Sequence, residues 1–156
     1  MRLFLCKEAK FMSSKIFIPN GQAAPPSQIG ATIETLCNTI NDRKLNDSTQ
    51  ESYTQELLAS ADKPLKKLVE EACEVGLAAK DVECEMQQGK SNAKVSKACD
   101  HLRYEAGDVM YHLLVILAKY GISAGELAAE MNMRMQECER PAGGVLLHNE
   151  FVNRGK

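Results

Sequence analysis

Residues 109–118 read Val-Met-Tyr-His-Leu-Leu-Val-Ile-Leu-Ala, a run that is apolar nearly all the way round a helix. A helix without a polar face lies in the middle of a bundle or at an interface between subunits. Gly121 stands where helices commonly end. The pattern predicts one long helix over residues 93–120, and two acids, Glu105 and Asp108, come directly before its apolar half.

The chain on either side of this run also shows helical spacing, and no strand-period region is convincing. We expect helices from residue 27 or 28 to about 44, over 53–59, and from about 62 to 88. Asp62 is the expected cap of the third of these, and Ser52 the cap of the second. Ser123 with Glu126 forms a capping box for a last helix that reaches Met135. The predicted fold is an all-α bundle of four to five helices, completed by dimerisation.

At 156 residues the chain has room for one domain with extended ends. Turn and breaker residues around Pro19 and Pro25 set off an N-terminal extension, residues 1–27, and Met12 leaves open a second start. The helical domain spans residues 28–139. Residues 140–156 follow Arg140-Pro141, lose the helical pattern and are interpreted as a tail.

The composition excludes several classes of partner. A net charge of −2 removes the electrostatic attraction needed to bind nucleic acid or an acidic membrane surface. No apolar run reaches the roughly 18 residues that cross a bilayer. The six cysteines include no Cys-x-x-Cys pair, which favours reduced thiols over disulfides or zinc. We therefore expect a cytoplasmic protein.

Two acid pairs are the main functional signal. Glu71 and Glu74 stand three residues apart, as do Glu105 and Asp108, and that spacing places each pair on one helix face. Carboxylates brought together near a bundle interior repel one another and lose solvation. A hard cation removes both penalties, so Mg²⁺, or Mn²⁺ in its place, fits four carboxylates where zinc would require His or Cys. His112 is interpreted as a packed histidine.

The acid pairs and the segments around them resemble the all-α nucleotide pyrophosphohydrolases of the MazG-like group. Within that group the chain is most similar to the phosphoribosyl-ATP pyrophosphohydrolases of histidine biosynthesis. The similar segments are INDRK (40–44), SYT (52–54), KKLVEEACE (66–74), AAKD (78–81) and EAGDVMYHLLV (105–115). The segment 82–103 is longer than in most members, which leaves the role of that region open.

The resemblance implies Mg²⁺-dependent hydrolysis of phosphoribosyl-ATP to phosphoribosyl-AMP and pyrophosphate by a homodimer or higher homo-oligomer. The metal would be bound by Glu71, Glu74, Glu105 and Asp108. Glu70 would either contact one of these ligands or act as the general base. A triphosphate also requires cations and hydrogen-bond donors. The candidates are Arg43, Lys44, Ser52, Thr54, Lys63, Lys66 and Lys67, although solvation or capping explains several of them equally well.

Two other interpretations remain open at this stage. A house-cleaning pyrophosphatase of dUTP, dCTP or another nucleoside triphosphate would use the same four carboxylates. A non-catalytic helical dimerisation module would carry the acids only as a solvated face. The second predicts no Mg²⁺-dependent thermal shift and no release of pyrophosphate.

Overall fold

The structure, a computed structural model, describes residues 15–46, 52–89 and 91–152. It contains five α-helices in chain order: α1 Gln28–Leu45, α2 Tyr53–Ala59, α3 Lys63–Gln87, α4 Asn92–Lys119 and α5 Ala124–Met133. There is no strand within those ranges, so the all-α prediction is confirmed. The predictions for residues 1–14, for the loop at 47–51 and for the last four residues lie outside the described chain.

The chain divides into two compact units, Met1–Ile33 and Glu34–Lys156. In the first unit, Gln22 donates its backbone N–H to Pro19 at 3.2 Å, and Gly21 takes a positive φ of 81° in this turn. Ser27 Oγ accepts from the backbone N–H of Gly30 at the start of α1. The division falls within α1, and the boundary between residues 27 and 28 stays a prediction.

In the second unit α3 packs along α4, and α2 packs against both. The two long helices are antiparallel because only residues 88–91 connect them, with Gly89 at a φ of 60° in the turn. The buried apolar side chains come from all five helices and are small or branched, as close packing between helices favours. They are Ile40, Leu57, Ala78, Leu114, Val115, Ala118 and Ala129.

Local capping signals set the helix ends. Ser52 and Gln55 form a capping box on α2, and Ser123 and Glu126 form the predicted one on α5. Asp62 lies at the predicted N-cap position of α3, but its side chain makes no capping hydrogen bond, and Ser60 Oγ accepts from the N–H of Lys63. Met135 also lies beyond α5, which ends at Met133.

The segment after α5 is tied to that helix by polar contacts. The Asn132 side chain is buried and donates to the carbonyl of Val145 at 2.9 Å. Arg140 Nε donates to the carbonyl of Asn132, also at 2.9 Å. Short 3₁₀ turns occupy Glu137–Glu139, just before the predicted tail, and Asn149–Phe151 within it, so the tail has local structure of its own.

None of the described helices is by itself long and apolar enough to span a membrane; α4 and α5 pass that test only as a pair bent by 112°.

Lysine side chains bind backbone carbonyls at the C-terminal end of α4 and at the end of α2. Lys44 Nζ donates to the Ala118 carbonyl at 2.6 Å, and Lys119 Nζ donates to the carbonyls of Leu58 and Ser60 at 2.8 and 2.5 Å. Carbonyls at a helix C-terminus have no intrahelical donor, and an ammonium group satisfies them with favourable charge. Lys119 thereby fixes the end of α2 to α4.

We expect Lys119→Met to destabilise the fold by about 1.5–3 kcal/mol, because two carbonyls lose a charged donor. Urea unfolding followed by circular dichroism measures this loss. Lys97→Met, at an exposed position of the same helix, is the matched control and should leave stability unchanged. Equal stability of the two variants would contradict the capping role.

Candidate metal centre

Three of the four predicted carboxylates meet between α3 and α4. Glu71, Glu74 and Glu105 each place a carboxylate oxygen within 4.8 Å of the others. Glu71 and Glu105 are each 6% exposed, whereas Glu74 is half-buried. Glu71 and Glu74 point the same way because they are one helical turn apart, and the packing of α4 on α3 brings Glu105 to them.

The chemistry of this cluster fits a divalent cation. Oε2 of Glu105 is buried and has no hydrogen-bond partner among the described residues. The pKa of Glu74 is raised because it shares a hydrogen bond with Glu71, because it is desolvated and because the charges of Glu71 and Glu105 repel its own. A cation between these oxygens would remove their mutual repulsion, and oxygen-only donors suit Mg²⁺ or Mn²⁺.

Lys67 lies against two acids of the first motif. Its Nζ is 2.8 Å from Oε1 of Glu71 and 3.0 Å from Oε2 of Glu70. The hydrogen bond to Glu71 raises the pKa of Lys67, and the same bond lowers the pKa of Glu71. Lys67 therefore holds the acids, and Glu71 stays charged at neutral pH despite its burial.

Asp108 is the predicted ligand that the structure does not bring into the cluster. It lies one turn beyond Glu105, half-buried, with its carboxylate beside the Tyr104 phenol. The negative charge of Asp108, together with a hydrogen bond between the two side chains, raises the pKa of Tyr104. Its role as a fourth ligand stays a prediction.

His112 is buried beside the cluster in aromatic surroundings. Its ring makes edge-on contacts with Tyr111 at 5.2 Å and Tyr53 at 6.2 Å between centroids. Nε2 lies 3.9 Å from Oε1 of Glu71, beyond hydrogen-bond distance. Burial is the main cause that lowers the pKa of His112, so the imidazole is neutral at physiological pH and packs as the sequence suggested.

Two of the residues predicted to bind substrate share one groove. Arg43 and Ser52 line it together with Thr39, Asp42, Asn46 and Gln55. The Arg43 guanidinium donates to Thr54 Oγ1 at 2.7 Å, and that hydroxyl shares a further hydrogen bond of 2.9 Å with Tyr111. Arg43 is therefore oriented by the bundle through a buried threonine.

The remaining predicted cations have partners of different kinds. Lys44 donates to the end of α4, as described above. Lys63 pairs with Glu56 and lies over the Tyr53 ring, 5.5 Å from its centroid. Lys66 is exposed on α3. The binding roles of these residues stay predictions, and the structure gives Lys44 and Lys63 contacts within the fold.

His101 is a residue near the site that the sequence interpretation missed. Its Nε2 lies 2.9 Å from Oε1 of Glu105, four residues further along α4. The spacing of four is visible in the sequence, because side chains at that interval are neighbours on a helix. The pair was hard to single out because an exposed histidine before a glutamate is common on solvated helices.

The fold and the site together define a class: an all-α protein with a carboxylate cluster for a divalent cation between two long helices. Comparison with known proteins identifies the group within this class. The sequence pattern of the family described as "Phosphoribosyl-ATP pyrophosphohydrolase" matches residues 33–135. The chain belongs to this family of hydrolases, and the membership inferred from the sequence is confirmed.

Several curated relatives carry the name phosphoribosyl-ATP pyrophosphatase. The one from Methylobacterium nodulans is 44% identical over 88 residues, covering 56% of this chain and 68% of the relative. The one from Hydrogenovibrio crunogenus is 32% identical over 118 residues, covering 75% and 88%. The one from Pyrobaculum islandicum is 36% identical over 95 residues, covering 60% and 85%. No solved structure matches the chain significantly.

We expect Glu74→Gln to stabilise the metal-free protein at neutral pH. The raised pKa of Glu74 means that folding favours its protonated form. As the pH rises through that pKa, Glu74 ionises and the folded state becomes less stable. Glutamine keeps the shape and a donor towards Glu71 and cannot ionise. The gain should therefore be present at neutral and alkaline pH and vanish below the ordinary glutamate pKa of 4.5.

Thermal unfolding in EDTA across this pH range measures the effect. Glu83→Gln is the matched control, since Glu83 is exposed on the same helix and pairs with Lys80. A Glu74→Gln variant less stable than wild type at the alkaline end would contradict the repulsion assigned to the cluster.

Proposed function

We propose that this protein hydrolyses the α–β phosphoanhydride bond of phosphoribosyl-ATP, giving phosphoribosyl-AMP and pyrophosphate, with Mg²⁺ as its cofactor. The observation that carries the proposal is the meeting of Glu71, Glu74 and Glu105 within 4.8 Å at a partly buried point. The relatives are named phosphoribosyl-ATP pyrophosphatase, which supports phosphoribosyl-ATP as the substrate, and a role in histidine biosynthesis is part of the proposal. A cytoplasmic location is part of the same proposal.

Glu71, Glu74 and Glu105 would hold the cation, with Asp108 as the fourth ligand. When bound, Mg²⁺ supplies positive charge next to the phosphate oxygens, where negative charge accumulates during hydrolysis. Buried carboxylates suit this role because they are fixed before substrate arrives, so little reorganisation is needed. Lys67 contributes by holding Glu71 in one orientation.

Glu70 is suited to accept a proton from the attacking water. It follows Val69 directly before the cluster, its side chain is 55% exposed, and Lys67 Nζ lies 3.0 Å from its Oε2. An exposed carboxylate beside the cluster can reach solvent water, which the buried Glu71 cannot do as readily. The neutral His112 and the rings around it would exclude water from the other side of Glu71.

Arg43 is the best placed of the predicted substrate-binding cations. Its guanidinium lines the groove shared with Ser52, and the hydrogen bond to buried Thr54 orients it. A planar guanidinium recognises phosphate oxygens in pairs, which suits the phosphates of the substrate. Lys66, exposed and four residues before Glu70, is a second candidate for the triphosphate.

A homodimer is the assembly we propose, because α3 carries an exposed apolar stripe. Leu65, Val69, Cys73 and Leu77 follow one another at intervals of four residues, and all are exposed. Val69 is 71% exposed and Leu77 63%. An uncovered stripe of this kind is typical of a surface that packs against another helix.

The enzymatic proposal is tested by pyrophosphate release from phosphoribosyl-ATP beside ATP, dUTP and dCTP, each with Mg²⁺, Mn²⁺ or EDTA. We expect metal-dependent turnover with phosphoribosyl-ATP preferred. Glu74→Gln and Asp108→Asn should each reduce turnover by about 10²-fold or more, because charge is removed with little change in volume. Asp81→Asn, an exposed acid of α3, should retain activity.

Preference for dUTP or dCTP in this assay would instead favour the house-cleaning function. Release of pyrophosphate in EDTA at the rate seen with Mg²⁺ would contradict the metal assignment. Circular dichroism of each variant establishes that its helices are intact.

The dimer is tested by light scattering at micromolar concentration. We expect wild-type protein at the mass of two chains and the double variant Val69→Glu, Leu77→Glu at the mass of one, because two buried charges would oppose association. Lys94→Glu, an exposed charge change on α4, is the control and should stay dimeric. A monomeric wild type would refute the assembly.

A further inference from the structure

His101 is a side chain to which the proposed function gives no role, although it contacts one of the cluster carboxylates. Its Nε2 lies 2.9 Å from Oε1 of Glu105, and the imidazole is 56% exposed. It stands on α4 one turn before Glu105, on the same face of the helix. The contact therefore joins a solvent-facing imidazole to a buried carboxylate.

The two oxygens of Glu105 have different surroundings. Oε1 is next to the imidazole, whereas Oε2 is buried and without a hydrogen-bond partner among the described residues. A carboxylate with one oxygen held can no longer rotate freely about its last torsion angle. The contact with His101 thus fixes which oxygen stays available within the cluster.

We propose that His101 is a positioning residue of the metal centre: it donates its Nε2–H to Oε1 of Glu105 and holds this carboxylate in the orientation that binds the cation. The inference rests on the proposed function, since it requires a divalent cation at the cluster. Both the neutral imidazole with its proton on Nε2 and the charged form can make this donation.

Lys67 gives the same arrangement on the other helix. It stands four residues before Glu71 and contacts Oε1 of that residue at 2.8 Å. Each of the two buried carboxylates therefore has a donor one turn earlier on its own helix. Hydrogen-bond partners of metal-binding carboxylates commonly affect metal affinity by about 10–100-fold, and an exposed partner belongs near the lower limit.

A surface pair without such a role would make the same contact, because His and Glu four residues apart on a helix are neighbours. The two cases differ in their effect on metal binding, because a contact that does not orient Glu105 can be removed without changing the affinity of the cluster for the cation. A third case is direct coordination of the cation by the imidazole. An amide N–H donor of similar reach, which lacks the imidazole nitrogen, separates coordination by the imidazole from positioning.

The test is the dissociation constant of Mn²⁺, measured by electron paramagnetic resonance of the free ion without substrate. His101→Leu should weaken binding about tenfold. His101→Gln should bind close to wild type, because its amide nitrogen is reached through the same number of bonds as Nε2. Arg103→Leu, which removes the neighbouring pair with Asp100, is the matched control and should not change affinity.

Each other outcome overturns the inference in a distinguishable way. Unchanged affinity in His101→Leu would show a surface pair, and equal loss in the Leu and Gln variants would show that the imidazole itself is required. Glu105→Gln marks the affinity of a damaged site. If wild type bound no Mn²⁺, the proposed metal centre itself would fail, and the role of His101 with it.

Discussion

Repulsion among the carboxylates of Glu71, Glu74 and Glu105 is the constraint on which the rest of this structure depends. Their oxygens lie within 4.8 Å of one another where α3 packs on α4. The surrounding fold must oppose that repulsion, because removal from water makes each charge more costly. Buried apolar residues on both helices, among them Ala78 on α3 and Val115 on α4, supply the packing, and Lys67 supplies one compensating charge.

The basic residues near the site differ in the groups that they contact. Lys67 lies against acids of the cluster, while Lys44 and Lys119 satisfy carbonyls at helix ends. These three side chains therefore stabilise the arrangement that a substrate would meet. Arg43 differs, because its hydrogen bond goes to the neutral hydroxyl of Thr54 and not to a helix end or an acid of the cluster. Arg43 and Lys44 are adjacent in sequence, yet their side chains have partners of different kinds.

The sequence predicted those structural features that depend on residues close together along one helix. The apolar run 109–118, the capping box at Ser123 and the spacing of Glu71 and Glu74 are local signals, and the structure has each of them. The contact of Lys44 with the end of α4 was not predictable, because it joins residues 74 positions apart. Asp62 lies at the N-cap position without a capping hydrogen bond, and Pro64 at the second helical position has no N–H to donate to it.

The proposed assembly and the metal centre are linked through α3. Val69 and Cys73 precede Glu70 and Glu74 by one residue, which is about 100° around a helix, so the apolar stripe borders the acidic face. A second subunit on the stripe would remove water from the edge of the cluster. Less water strengthens both the repulsion among the carboxylates and their attraction to a cation. Association would therefore favour the metal-bound form. This coupling would explain why the apolar stripe and the acidic residues lie on the same helix.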